Sequence, residues 1–116
     1  MKNLVLFFFA VGMSLISLQA QNHVYEEKMG EVLESMTAAK DLESWQNILN
    51  QLERIAKVES SAWLPEYYRA YSHLQLGRIA LGNEDKETTI EHIAAAQNSL
   101  KVAEEKAEGP NSEIAT

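Results

Sequence analysis

From Val24 to Ala39 the apolar residues Tyr25, Met29, Val32, Leu33 and Met36 recur at three- and four-residue spacing, with polar residues between them. That spacing predicts an amphipathic helix with one buried stripe. Lys40-Asp41 interrupts it as a turn, and Asp41 is placed to cap a second helix by accepting backbone N–H bonds. Leu42, Trp45, Ile48, Leu49, Leu52, Ile55 and Ala56 then repeat the rhythm and form the clearest apolar stripe in the chain.

A third helix is predicted to open at Pro65, which has no N–H to lose in a first turn and holds φ near the helical value. Trp63, Tyr67, Ala70, Tyr71, Leu74 and Leu81 fall on one side of it, while Leu64, Tyr68, Leu76 and Ile79 widen the band. A helix apolar over more than half its circumference is expected to sit between two neighbours. "LGNEDKET", residues 81–88, reads as a loop with Gly82 just past the helix end and Asn83 or Asp85 as the next cap. The fourth helix is then lined by Ile90, Ile93, Ala94, Ala96, Gln97, Leu100, Ala103 and Ala107, and Gly109-Pro110 ends it. No segment alternates apolar and polar residues, and no Asn-Gly or Asp-Gly turn joins two apolar runs. The expected fold is all-α, with short connections arranging the helices as two stacked antiparallel hairpins.

The opening residues, "MKNLVLFFFAVGMSLISLQAQ", follow a different logic. Lys2, an uncharged apolar core from Leu4 to Ile16 and a small residue at Ala20 have the layout of a secretory signal peptide, with cleavage expected before Gln21. A membrane anchor fits less well, because the last third of the uncharged stretch is polar. Cleavage would leave 96 of the 116 residues, one small domain over residues 21–110 with a tail at 111–116. It would also remove Lys2 and no acid, taking the net charge from −7 to −8. That balance argues against nucleic acid and anionic membrane surfaces, and it favours a neutral or basic partner. There is no Cys, so an exported domain must here be stabilised by packing without disulfides.

Catalytic chemistry finds no foothold in the sequence. His23, His73 and His92 lie far apart along the chain, with no H-E-x-x-H pattern, Ser-His-Asp context or Cys ligand beside them. Glu87 and Glu91 stand one turn apart, with His92 rotated about 100° from Glu91, and acids near a helix start are favoured by its dipole without any metal. Gly82-Asn83-Glu84-Asp85 lacks the ligand spacing of a calcium loop. No catalytic residue, metal site or cofactor is expected, and the chain does not read as an enzyme.

"ERIAKVESSAWLPEYYRAYSHL" and "AQNSLKVAEEKAEGPNSEI" each run from a helix through a polar break toward a new start. In these stretches the chain resembles the tetratricopeptide-repeat family, and within it short secreted tetratricopeptide-like proteins of Gram-negative bacteria. The resemblance implies that Gly30 and Ala70 are small residues at helix crossings, and that Ala96, Leu100 and Ala103 take the small, large and small positions of a second unit. About 26 residues separate Ala70 from Ala96 where the repeat uses about 12, so the hairpins are irregular. It further implies a protein- or peptide-binding scaffold whose groove is lined by Glu27, Glu31 and Glu34 in the first unit and by Tyr67, Tyr71 and Gln75 in the second. Carboxylates beside tyrosines suit a basic or aromatic segment.

The expected function is therefore an exported, periplasmic or extracellular, interaction scaffold. A helical-bundle pocket for a small apolar ligand and a purely structural envelope protein are the alternatives. Ile90, Ala94 and Leu100 on the outer side of the last helix add an expectation of self-association there.

Overall fold

The computed structural model describes residues 23–108, which form four helices: α1 (23–38), α2 (Leu42–Val58), α3 (Leu64–Gly82) and α4 (Lys86–Ala107). Among the described residues there is no strand, and the chain is all-α as its periodicity predicts. The expected signal peptide at 1–20, the Gly109-Pro110 stop and the tail at 111–116 lie outside the described residues.

Local chemistry sets the boundaries. Asp41 accepts a hydrogen bond from the Ser44 N–H at 2.8 Å and opens α2. Asp85 accepts one from the Thr88 N–H at 3.2 Å and opens α4. Pro65 lies in the first turn of α3, whose start has no side-chain cap. The end of α3 differs from expectation, because Gly82 stays helical and Glu84 adopts the left-handed conformation at φ 61°. The reason is a pair of hydrogen bonds: the Asp85 N–H reaches the Ala80 carbonyl at 2.9 Å and the Glu84 N–H reaches that of Leu81 at 3.0 Å. This pattern requires the left-handed residue two places after Gly82.

One apolar cluster joins the first three helices. Met29 and Val32 of α1 pack with Trp45, Ile48, Leu49, Leu52 and Ile55 of α2 and with Leu76 of α3. Tyr25, Met36, Leu64, Tyr68 and Ile79 close around it. Leu52, with no exposed surface, is the best-buried of these side chains. Leu42, expected on the same stripe, is instead exposed at the first turn of α2, where the partner helix does not cover it.

The fourth helix is held differently. Its buried residues are Thr89, Ala96, Ser99 and Ala103, all small. They share a three-and-four stripe with His92, and α3 answers with Ala70, His73, Gly77 and Ala80 at the same spacing. A Cβ on Gly77 would meet the His92 Cβ at 3.4 Å and the Thr89 carbonyl at 3.7 Å, so the backbones come close. Contacts between residues 77 and 89, 73 and 92, and 66 and 106 show that α4 runs back along α3.

This seam corrects several expectations. Ile90, Ala94 and Leu100 are exposed on the outer side of α4, as expected, but Ile93 of α4 and Tyr67, Tyr71, Leu74 and Leu81 of α3 are exposed as well instead of packed between neighbours. Small side chains allow the close approach, and dispersion contacts fall off steeply with separation, so the large residues are left outside. Leu100 consequently does not fill a large interior position between Ala96 and Ala103. Gly30 marks no helix crossing, since nothing lies within 4 Å of where its Cβ would be; the close-approach glycine is Gly77.

A charged network fastens one end of the seam. Arg69 of α3 bonds Glu53 of α2 at 3.3 Å and Glu66 of α3 at 3.0 Å, and Lys106 of α4 reaches Glu66 at 3.4 Å. Glu66 is a buried carboxylate, and buried charge is tolerated here because two cations pair with it.

Candidate docking face

Each large exposed apolar residue of the last two helices directly follows a seam position. On α3, Tyr67 follows Glu66, Tyr71 follows Ala70, Leu74 follows His73 and Leu81 follows Ala80. On α4, Ile90 follows Thr89, Ile93 follows His92 and Leu100 follows Ser99. One residue is a rotation of about 100°. Two antiparallel helices that turn by the same angle from a shared seam present those positions on the same side. The seven side chains, between 38% and 67% exposed, therefore form one apolar face across both helices. Isolated exposed apolar residues are ordinary, whereas a contiguous set makes a surface a candidate for docking.

Aromatic contacts stiffen the α3 half of the face. Trp63 meets Tyr67 edge-on at 6.1 Å, Tyr67 meets Tyr68 at 5.3 Å, and Tyr71 meets Trp45 of α2 at 5.7 Å. Such edge contacts hold rings in place at little entropic cost to a later partner. Arg78, also exposed, stands on the same side between Leu74 and Leu81.

The groove residues suggested by the repeat resemblance fall into two groups. Glu27, Glu31 and Glu34 are exposed on α1, with Glu31 3.9 Å from Lys28. Tyr67 and Tyr71 belong to the apolar face, and Gln75 is half-buried beside it. Among the described residues no hydrogen bond or ion pair joins the acidic group to the tyrosines. A separate open groove of about 280 Å³ lies between α1 and α2, lined by Lys28, Glu31, Val32, Gln51, Arg54 and Ile55. Four of its six lining side chains are charged or amide and the groove is open to solvent, unlike the enclosed pocket that holds a small apolar ligand.

The histidines change most between sequence and structure. His73 and His92, 19 positions apart, meet across the seam with their Nδ1 atoms at 3.1 Å. Burial first, then His92, then the Arg69 guanidinium hold the His73 imidazole below its ordinary value, and Glu53 pulls the other way. Glu87 and Glu91 point to solvent and take no part. Among the described residues no group of three or more His, Cys, Asp or Glu side chains is arranged to hold a metal, and no helix is long and apolar enough to cross a membrane.

An all-α chain with an exposed apolar face on its last two helices and buried polar contacts within its seam is the class that the geometry defines. Compared with known proteins, it matches no family, no curated protein and no solved structure.

Proposed function

We propose that this chain is an exported, non-catalytic interaction module that docks an apolar, neutral or basic segment of another protein on the α3–α4 face. The observation that carries this reading is the set of seven large apolar side chains on one side of a close-packed helix pair. The net charge of −7 supports a neutral or basic partner through long-range attraction. Tyr67 and Tyr71 offer ring faces to a cation. In this reading α1–α2 and α3–α4 are two tetratricopeptide-like hairpins, and Glu27, Glu31 and Glu34 guide the approach of a basic segment. The apolar-ligand alternative has less support, since the α1–α2 groove is open and four of its six lining side chains are charged or amide.

A paired substitution tests the proposal: Leu74→Glu with Ile93→Glu, both at exposed positions, in protein shown by circular dichroism to stay helical. The expected result is at least a tenfold loss in the recovery of whatever protein the wild type retains from envelope extract, with Glu27→Gln/Glu31→Gln/Glu34→Gln weakening recovery less and in a salt-dependent way. Equal recovery by the paired variant rules out the face. Light scattering on the same variants decides whether the partner is a second copy, because only then does the mass fall from dimer to monomer.

A further inference from the structure

The contact between His73 and His92 lies at the middle of the α3–α4 seam, and its geometry restricts what it can be. An imidazole nitrogen sits about 1.15 Å from its ring centre, given ring bonds near 1.33 Å. Two rings whose nitrogens meet head-on at 3.1 Å then have centres about 5.4 Å apart, and the observed separation is 5.4 Å. Two imidazoles sharing one metal at about 2.05 Å, with the same nitrogen separation, would bring their centres to about 4.8 Å. The rings point at each other, as in a hydrogen bond, and do not converge on an ion.

A head-on Nδ1 pair accepts only limited protonation. One Nδ1 carries a hydrogen and donates, and the other must offer a lone pair. A first added proton can go to Nε2 of the donor ring without breaking the bond. A second puts hydrogens on both Nδ1 atoms, so that two donors and two positive charges face each other at 3.1 Å. We propose that His73 and His92 form a proton-operated latch that holds α4 against α3 when the pair is neutral or singly protonated and releases it when both rings are charged.

The surroundings support release over accommodation. Among the charged groups felt at His73, Arg69 on its own helix opposes added charge, Glu53 on α2 favours it, and His92 faces it from α4. Glu53 and Arg69 are already paired at 3.3 Å, so little of the Glu53 charge is free to compensate. Further along the seam Glu66 is committed to Arg69 and Lys106. The helix that would move is also the one with no residue in the main apolar cluster, so its attachment depends on close packing, on the Glu66–Lys106 ion pair and on this contact. The latch stands on the seam alone, whatever docks on the neighbouring face.

The direction with pH follows from linkage. His73 is held below its ordinary value in the fold, so the unfolded chain takes up protons first as pH falls through about 6.5. Stability is fully present above that value and declines below it. The cap carboxylates of Asp41 and Asp85 are both held below 3.8 and do not titrate in that window.

The test compares thermal melting of the isolated protein from about pH 7.5 to about pH 5.5 with that of His92→Asn, which keeps a hydrogen-bonding group beside His73 but cannot be charged. The wild type is expected to lose several degrees more than the variant across this range. Equal losses overturn the latch. Should the variant fail to fold, proton NMR of the wild-type rings decides: His73 titrating below its ordinary value supports the proposal, and titration at or above it overturns it.

Discussion

Gly77 sits where the backbones of α3 and α4 come close, and its tolerance is a direct measure of the seam. An added methyl group finds the His92 Cβ at 3.4 Å and the Thr89 carbonyl at 3.7 Å, both ordinary contact distances. Replacing glycine by alanine inside a helix gains about 0.8–1 kcal/mol in backbone propensity. Gly77→Ala is therefore expected to raise the melting temperature, against the intuition that a buried glycine must stay. Gly77→Leu has no such room and is expected to cost about 1–3 kcal/mol through forced displacement of α4. Urea denaturation of both variants checks the pair, and a destabilised Ala variant would mean a tighter seam. The sequence showed Gly77 only as one more residue in an apolar helix, because nothing local distinguishes a glycine at a close approach from one facing solvent, as Gly30 does.

At the level of elements, the helix starts were legible and one helix end was not. Asp41 caps as its position suggests, and Asp85 is the one of the two candidates, Asn83 and Asp85, that caps α4, since capping requires only a short polar side chain and the backbone that follows it. The end of α3 depends on which carbonyls the chain folds back to reach, and this places Glu84, not Gly82, in the left-handed region. A non-glycine residue there carries about 1 kcal/mol of strain. Glu84→Gly is therefore expected to stabilise the protein by up to that amount, read as a higher urea midpoint with an unchanged slope. An unchanged or lower midpoint would show that Glu84 makes compensating contacts. The period of α4 was visible too, but its rotation was not: two stripes were available, one of isoleucines and leucine and one of alanine, serine and threonine, and hydropathy favours the first.

For the molecule as a whole, three helices share an apolar cluster and the fourth is attached through small residues, a histidine pair and the Glu66–Lys106 ion pair. The sequence has no Cys to form a disulfide. Protein recovered from envelope fractions is expected to have the intact mass of a chain beginning at Gln21 and a helical circular dichroism spectrum whose melting does not shift with chelator. A species retaining residues 1–20 would mean an anchor. A chelator-dependent shift of several degrees would mean that the two imidazoles hold an ion after all.

The sequence by itself determined the helical class, the Asp41 cap and the α2 stripe from Trp45 to Ala56, because each depends on neighbours within about four positions, and the helix period brings those together before any tertiary contact forms. It also named Tyr67 and Tyr71 as surface candidates, though for a groove shared with α1, not a face shared with α4. Only the tertiary structure decided which stripe of α4 is buried, that Leu74, Ile90 and Ile93 join the tyrosines, and that His73 meets His92. Those outcomes rest on how closely two backbones can approach. Small residues at Gly77 and Ala96 allow the approach, and the exposed apolar face and the histidine contact both follow from it.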